Sequence, residues 1–368
     1  MRRGQIRMTT HTAGLLLGLI LKPAFADDPS NYLFAISETR PEVTIIDSST
    51  DEVVGRISLP SFPGDMTVLG RGRSLAIADR KAGRVDFVDV RGRRVERVVD
   101  LPVVPDVLRS DTFGATLAAL DLGTGAVALG SIEDSAFQTV ADIPAATDVA
   151  FDAKGRLLVA HQAGATIVDA KRRKVAELAV DPGNGQMMDV AVDPGGDYAF
   201  VEQPLGGVVS VFDLHKAARL TVLHLPVPLG RIVPSQNSQF VLVPSGYKSI
   251  SVVSTWTLKE MARIGIDVEP DSIGLALFQS VVTIISQSAQ KVILYDLRDE
   301  HQSGEIRLPG SPGLAASSSD GSKLYVTLPD AGQVAVINLT LRRIDRLIDD
   351  VGIGVSKIVP AIGNEYCH

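Results

Sequence analysis

Six charged residues recur along the chain at an almost constant interval, and their types could do chemistry. They are Asp65, Asp106, Asp148, Asp189, Arg231 and Asp271, at spacings of 41, 42, 41, 42 and 40 residues. Converging carboxylates can bind a hard cation or raise one another's pKa. A guanidinium among them could hold an anionic group or neutralise two of the carboxylates. The alternative is structural, because an aspartate before a strand can accept hydrogen bonds from backbone N–H groups at the turn.

A repeated strand pattern accounts for this interval. In each repeat an apolar run ends in a small polar residue, and a short loop and a charge-rich strand follow. The runs end at Asp47, Asp89, Gly130, Asp169, Asp213, Ser254, Asp296 and Asn338, at spacings of 42, 41, 39, 44, 41, 42 and 42 residues. We interpret the run as the third strand of a four-stranded unit. A repeat of ~40–45 residues with four strands is typical of a β-propeller.

The pattern predicts an all-β fold with eight blades, seven being the alternative. Eight apolar second strands can be recognised, and turns such as Asp193–Pro194–Gly195–Gly196 separate them from the strands before. The stretch from Val355 to Val359 is left over after the eighth repeat. We expect it to pair into the first blade as its inner strand, which closes the ring and removes an exposed sheet edge.

Three stretches resemble the repeats of YVTN-family β-propellers. They are Val43–Thr44–Ile45–Ile46–Asp47, Val208–Val209–Ser210–Val211–Phe212–Asp213 and Lys323–Leu324–Tyr325–Val326–Thr327. The resemblance covers nearly the whole mature chain and implies a fold without an activity. The same superfamily contains exported quinoprotein-linked propellers, amine-dehydrogenase propeller subunits and eight-bladed d1-type haem propellers. The alternative that the resemblance implies is therefore a subunit or accessory protein of a periplasmic redox system, either quinoprotein amine dehydrogenase-like or related to d1-type haem.

Composition and the N-terminus indicate an exported protein. Residues 1–26 have the pattern of a secretory signal, with Arg2 and Arg3 before a short apolar stretch and Ala24–Phe25–Ala26 as the cleavage site. We predict one propeller domain over 27–368, periplasmic or secreted, with no membrane insertion of the mature chain because no later apolar run approaches ~20 residues. The net charge of −7 gives no electrostatic reason to expect nucleic acid as a partner. Cys367, the one cysteine, predicts a fold without an internal disulfide.

The loops between the second and third strands are expected to open on the same face as the six charged residues. We predict further binding residues there, namely Arg40, Arg80, His161, Glu202 and Lys248. Their mixed charges favour a small polar ligand or a periplasmic protein as the partner. A d1-type haem would need an axial histidine on the channel face, and His161 is the one histidine that the strand pattern places there.

Enzyme signatures are mostly absent from the sequence. The histidines have no metal-ligand spacing, and there is no C-x-x-C-H motif, no P-loop and no G-x-S-x-G elbow. We therefore predict no catalytic residues and no resident cofactor. The sequence favours a non-enzymatic binding or scaffold protein that uses the mouth of the propeller channel. A cation held by the aspartate series, or a d1-type haem, remains the alternative.

Overall fold

The computed structural model describes residues 29–181 and 188–362. These residues form thirty-two β-strands after a short 3-10 turn at Pro29–Asn31, and the strands assemble into eight antiparallel sheets of four strands each. The protein is thus an eight-bladed β-propeller, as predicted, and not a seven-bladed one. The predicted signal peptide and Cys367 lie outside the described residues.

The blades follow one another along the chain, except that blade 1 takes its inner strand from the end of the chain. Blade 1 contains β1 (Tyr32–Ser37), β2 (Arg40–Asp47), β3 (Glu52–Ser58) and β32 (Val355–Pro360). Blade 2 contains β4 (Met66–Leu69), β5 (Ser74–Asp79), β6 (Arg84–Asp89) and β7 (Arg94–Asp100). Blade 3 contains β8 (Val107–Ser110), β9 (Thr116–Leu120), β10 (Val127–Ser131) and β11 (Ala136–Thr139). Blade 4 contains β12 (Ala146–Phe151), β13 (Leu157–His161), β14 (Gly164–Val168) and β15 (Lys174–Ala179).

The second half of the ring repeats this arrangement. Blade 5 contains β16 (Asp189–Val192), β17 (Tyr198–Gln203), β18 (Val208–Asp213) and β19 (Ala218–His224). Blade 6 contains β20 (Val233–Pro234), β21 (Phe240–Pro244), β22 (Ser249–Ser254) and β23 (Lys259–Gly265). Blade 7 contains β24 (Ser272–Ala276), β25 (Val281–Ser286), β26 (Lys291–Asp296) and β27 (His301–Arg307). Blade 8 contains β28 (Ala315–Ser317), β29 (Lys323–Leu328), β30 (Gln333–Asn338) and β31 (Arg343–Ile348).

Closure of the ring follows the prediction. Strand β32 pairs antiparallel with β1, with Phe34 opposite Val359, and forms the inner strand of blade 1. The inner edge of blade 1 is thereby paired within the molecule and cannot recruit a strand from another chain.

The hydrophobic core lies between neighbouring blades and not within any one of them. Phe34 and Ile45 of blade 1 pack with Leu75 and Ile77 of blade 2, and all four are at most 1% exposed. Burial of one such side chain contributes about 1.5–3 kcal/mol. The apolar second and third strands of each repeat therefore hold each blade to the next and keep the inner strands around a central channel.

The outer strands carry the polar face of each sheet. In β7, for example, residues alternate between exposed and half-buried. Seven of the eight blades also have a register shift between the third and fourth strands, as between Phe87 and Val88 in blade 2. Such bulges increase the local twist and make an exposed edge a poor template for further pairing.

The predicted strand positions agree closely with the structure. The third strands end at the predicted residue in six blades, and within one residue at Gly130 and Asp169. Three of the six charged residues do not lie directly before an inner strand, as was expected. Asp148 lies within β12, Asp189 is the first residue of β16, and Arg231 lies two residues before β20. No helix among the described residues is long and apolar enough to cross a membrane.

Candidate functional site

The predicted aspartate series lies at the channel mouth, which we define as the end of the channel where the inner strands begin. Asp148 lies opposite Ala160, and Asp189 lies opposite Glu202 on the neighbouring strand. Lys357 of β32 takes the corresponding place in blade 1. The repeat pattern did not identify Lys357 as a site residue, although it had already assigned the surrounding strand to blade 1.

Asp106 and Asp271 belong to a different register. Val107, opposite Leu120, and Ser272, opposite Ile285, take the place in their blades that Asp148 and Asp189 have in theirs. Asp106 and Asp271 therefore stand one residue earlier. Asp106 accepts a hydrogen bond from the backbone N–H of Leu122 at 2.8 Å, and Asp271 accepts one from Gln287 at 2.7 Å. Neighbouring residues of a strand point to opposite faces, so the offset directs these carboxylates to the turns of their own blades. Asp106 and Asp271 therefore stabilise turns through hydrogen bonds to the backbone, which was the structural alternative considered for this series.

Asp65 connects three blades through its buried carboxylate. It accepts a hydrogen bond from the backbone N–H of Leu108 in blade 3 at 2.7 Å and one from Lys357 Nζ in blade 1 at 2.5 Å. The Arg109 guanidinium lies 3.8 Å away. Burial alone would raise the pKa of Asp65, but the charges of Lys357 and Arg109 lower it below its ordinary value. Asp65 thus stays ionised and holds two cations at the channel wall.

Asp148 and Arg231 form a second ion pair two blades apart. Arg231 Nη2 lies 3.2 and 3.3 Å from the two carboxylate oxygens of Asp148, which also accepts the backbone N–H of Val190 at 3.2 Å. The negative charge of Asp148 raises the pKa of Arg231 above its usual value, against the effect of burial, and Asp189 contributes further. The Arg231 side chain is 37% exposed and reaches the channel.

Asp189 and Glu202 are a cross-strand pair of carboxyl groups beside that ion pair. Directly opposed residues of antiparallel strands hold their Cβ atoms about 4.5–5.5 Å apart on one face. Glu202 is 1% exposed, and the charge of Arg231 and the backbone N–H of Ile232 favour its ionised form. Burial and the nearby Asp189 raise the pKa of Glu202 well above its ordinary value. Burial and the charge of Asp148 also raise the pKa of Asp189.

The channel itself is an open cavity of about 570 Å³ along the inner strands of blades 1 to 6. Apolar side chains such as Val149 and Val190 form much of its wall. At the mouth the wall also contains Arg109, Arg231 and Lys357, from blades 3, 6 and 1. The acidic members of the series stand behind these cations. The structure therefore replaces the expected ring of carboxylates with two groups of mixed charge, one around Asp65 and one around the Asp189–Glu202 pair.

The expected loop position was wrong for Arg40, which begins β2, and for the buried residues Glu202 and His161. Glu202 lies within β17 and joins the charged group at the mouth. His161 ends β13, is 2% exposed, and its Nε2 lies 2.9 Å from the hydroxyl of Thr166 and 3.6 Å from Glu177. Burial lowers the pKa of His161 below its ordinary value. Its ring is turned toward the outer strands of blade 4, so it does not fit the axial position expected for a haem in the channel.

Three of the predicted residues lie apart from the mouth groups. Arg40 begins β2 and forms an ion pair with Asp350 at 2.7 Å. Arg80 lies in a turn of blade 2 and forms an ion pair with Asp106. Lys248 is exposed in a turn of blade 6. The structure does not bring these three together.

Two observations bear on metal and cofactor binding. Among the described residues no group of three or more His, Cys, Asp or Glu side chains is arranged to hold a metal ion. No histidine is found among the described residues that line the channel. The acidic groups are instead engaged with lysine, arginine and backbone donors, or with one another.

The fold and the charged channel mouth define the class of protein as an eight-bladed β-propeller whose central channel has charged side chains at one end. Neither a protein-family model nor a curated protein sequence matches the chain. Solved structures do resemble it. The dihydro-haem d1 dehydrogenase NirN in complex with DHE has a TM-score of 0.73 at 18% identity, covering 94% of this chain and 78% of that one.

Two further structures resemble the chain over most of its length. Apo AztD from Citrobacter koseri has a TM-score of 0.66 at 16% identity, covering 89% of this chain and 97% of that one. Kuenenia stuttgartiensis hydrazine synthase has a TM-score of 0.56 at 15% identity, covering 88% of this chain and 99% of that one. At these identities the likeness shows the propeller fold alone.

Proposed function

We propose that this chain is an exported, periplasmic β-propeller that binds a small polar ligand in its central channel and does not catalyse a reaction. The observation that supports it most is the placement of Arg109, Arg231 and Lys357 at one end of an open cavity of about 570 Å³. Cavities of about 300–1,000 Å³ with a mostly apolar wall and a few converging polar groups are typical of small-molecule sites.

The charged groups at the mouth are held rigidly, which favours specific binding. Lys357 and Arg109 are positioned by Asp65, and Arg231 is positioned by Asp148. Side chains fixed in this way lose little conformational freedom when a ligand binds, so the free energy of binding is more favourable. Arg109 and Lys357 lie in inner strands, and Arg231 lies two residues before one. These segments belong to three different blades, and closure of the ring keeps the blades in place.

The resemblance of the sequence to YVTN-family repeats, together with the predicted signal peptide, supports the periplasmic location. A binding protein for a periplasmic solute, or a subunit that presents such a solute to a partner protein, would use a propeller of this kind.

A redox role with a d1-type haem is the second candidate, and it is supported by the fold shared with the NirN complex. The residue expected as its axial ligand does not fit, because His161 is turned away from the channel toward Thr166 and Glu177. The absorption spectrum of the purified protein tests this candidate. Protein that is colourless and leaves the spectrum of added haem unchanged would exclude it.

Ligand binding in the channel can be tested with a variant that fills the cavity. Ala150 is half-buried in the channel wall, so Ala150→Trp should obstruct the channel. Ala218→Trp, at an exposed position of β19, is the matched control. We expect the protein recovered from the periplasm to carry a small molecule in native mass spectrometry, and we expect that mass to be absent from Ala150→Trp alone.

Two results would overturn the proposal. The first is wild-type protein that carries no ligand and shows no thermal stabilisation with any member of a periplasmic solute library. The second is Ala150→Trp protein that folds and retains the ligand as well as the Ala218→Trp control does.

A further inference from the structure

Blade 3 has an outer edge unlike that of any other blade. Among the eight fourth strands in the part of the chain that the structure describes, β11 is the one that pairs with the third strand without a register shift. It is also the one without a charged side chain, because it consists of Ala136, Phe137, Gln138 and Thr139. Bulges and charged side chains are two of the devices that prevent an exposed edge from pairing with another chain. Both are missing from β11.

The hydrogen-bonding pattern of blade 3 directs backbone groups of β11 outward. The N–H of Val140 donates to the carbonyl of Val127 at 2.8 Å, so these two opposed residues form a hydrogen-bonded pair. Hydrogen-bonded and non-hydrogen-bonded pairs alternate along antiparallel strands. In the register of β10 and β11, Phe137 and Thr139 therefore belong to non-hydrogen-bonded pairs. Their N–H and C=O groups point away from β10, toward the outer side of the ring, because β11 is the last strand of its sheet.

The side chains of β11 do not cover this edge. Phe137 packs over Gly130 of β10, where an added Cβ would lie 2.6 Å from the Phe137 ring. Gln138 and Thr139 are exposed. An extended segment that lies beside β11 can therefore bond to one N–H and one C=O of both Phe137 and Thr139, as in β-strand addition. Since β11 spans only Ala136–Thr139, the added segment is short and its affinity modest.

The charges around β11 indicate which segment fits. Glu133 and Asp134 lie in the turn before the strand, Asp142 lies in the segment after it, and all three are exposed. Arg97 of blade 2 is a cation beside this turn, where it donates to the backbone carbonyls of Ile132 and Glu133. Three carboxylates with one guanidinium leave an excess of negative charge at the two ends of the strand. Uncharged residues between lysine or arginine ends would complement this edge, because opposite charges across paired strands are stabilising.

A second copy of this chain fits the same edge less well. Antiparallel pairing of two β11 strands about Gln138 would set Asp134 of one copy against Asp142 of the other, because both aspartates are equally far from Gln138 in the sequence. Like charges in opposed positions are destabilising. The charge pattern thus favours a different protein over self-association.

We propose that β11 is a docking edge for a partner protein, which adds an extended segment with an uncharged centre and basic ends as a fifth strand of blade 3. The edge lies on the perimeter of the ring, so this interface goes beyond the channel site and does not require a ligand there.

A model peptide tests the edge. The probe is acetyl-Lys-Thr-Val-Thr-Val-Lys-amide, and the controls are the same peptide with glutamate ends and the same peptide N-methylated at every residue between its ends. Binding to the full protein is measured by saturation-transfer NMR at low ionic strength. We expect the lysine-ended peptide to bind with a Kd of about 1 mM or lower. The N-methylated peptide lacks the N–H donors, and the flanking carboxylates repel the glutamate-ended peptide, so neither should bind.

Thr139→Pro locates the binding on β11. Proline has no N–H, but the N–H of Thr139 faces solvent, and proline is tolerated at such positions of edge strands. Thr139→Val is the matched control, because it removes the hydroxyl and keeps the backbone donor. We expect Thr139→Val to bind the lysine-ended peptide as the wild type does, and Thr139→Pro to bind it about fivefold more weakly or worse. Melting temperatures show whether both variants are folded, and the N-methylated peptide tests the same bonds on the wild-type protein.

The proposal is wrong if the lysine-ended peptide does not bind, if either control peptide binds equally well, or if folded Thr139→Pro binds as Thr139→Val does. Wild-type protein that is dimeric in sedimentation velocity, with Thr139→Pro monomeric, would replace the partner protein with a second copy of this chain. None of these measurements involves the channel, so failure here leaves the proposed function in place.

Discussion

Lys357 Nζ lies 2.5 Å from Asp65 Oδ1, although the two residues are 292 positions apart in the sequence. Lys357 belongs to the strand that closes the ring, and Asp65 stands at the start of the next blade. The ion pair therefore joins blade 1, which combines the first and last strands of the described residues, to blade 2. Asp65 also accepts the backbone N–H of Leu108, so blade 3 is attached to the same carboxylate.

Removal of the lysine charge should destabilise the closed ring. Lys357→Met keeps an unbranched side chain but leaves the buried Asp65 with fewer partners, and loss of one member of a buried pair costs about 3–5 kcal/mol. Because Arg109 remains near Asp65, we expect a loss of about 3 kcal/mol in the free energy of unfolding, measured by urea denaturation. Lys248→Met, at an exposed turn, should change it by less than about 0.5 kcal/mol. Equal stability of the two variants would contradict this role for the pair.

The same pair predicts sensitivity to acid. The pKa of Asp65 in the folded protein is below its ordinary value because of Lys357 and Arg109. The folded state therefore binds fewer protons than the unfolded state, so the stability from Asp65 is present above its unfolded pKa and is lost as pH falls through the folded one. We expect the difference in melting temperature between wild type and Asp65→Asn to shrink as pH falls below about 4. A difference that does not change with pH would contradict the assignment.

Glu202 predicts the opposite dependence. Burial and Asp189 raise its pKa in the folded state, so the folded protein keeps a proton that the unfolded chain releases. Stability from this group is complete below its unfolded pKa and decreases as pH rises toward the folded pKa. Glu202→Gln imitates the protonated form, so it should be more stable than wild type at about pH 8 and equal to it at about pH 4. Thermal unfolding across this range is the measurement, and a Gln variant less stable at the upper end would refute the assignment.

The turn role of Asp106 can be separated from its ion pair with Arg80. Asp106 accepts the N–H of Leu122, and asparagine can still accept it, whereas alanine cannot. We expect Asp106→Ala to lose about 1 kcal/mol and Asp106→Asn to lose less. Arg80→Ala should cost at most about 1 kcal/mol, because the Arg80 side chain is 60% exposed. If Asp106→Asn and Asp106→Ala lower the free energy of unfolding equally in urea denaturation, Asp106 stabilises the fold through its charge and not through the hydrogen bond at the turn.

A polar contact also attaches blade 8 to blade 1. The Tyr325 hydroxyl donates to Asp51 Oδ1 at 2.6 Å, and Lys323 Nζ lies 2.7 Å from Asp51 Oδ2. Tyr325→Phe keeps the aromatic ring of the side chain and removes its hydroxyl, so we expect a loss of about 1–2 kcal/mol in the free energy of unfolding. Tyr247→Phe, with 63% of Tyr247 exposed, is the control and should have almost no effect. A loss of similar size in the control would show that the contact with Asp51 is not the cause.

The sequence by itself determined the propeller and its closure. Repetition at about 42 residues fixes where each blade begins, because each apolar pair of strands must be buried against the next pair. The unpaired stretch that became β32 was recognisable for the same reason. These features depend on local hydrophobic pattern and on turn residues, both of which a single sequence displays.

The tertiary structure alone decided what the charged series does. A spacing of 41 or 42 residues does not reveal a one-residue shift in register, yet that shift separates Asp106 and Asp271 from Asp65, Asp148 and Asp189 and points their side chains elsewhere. Lys357 reaches Asp65 because the ring closes, which is a contact between distant parts of the chain. Glu202 became buried beside Asp189 because β17 extends further than the pattern indicated. Burial and partners set the charge of these groups, and both exist after the blades have packed.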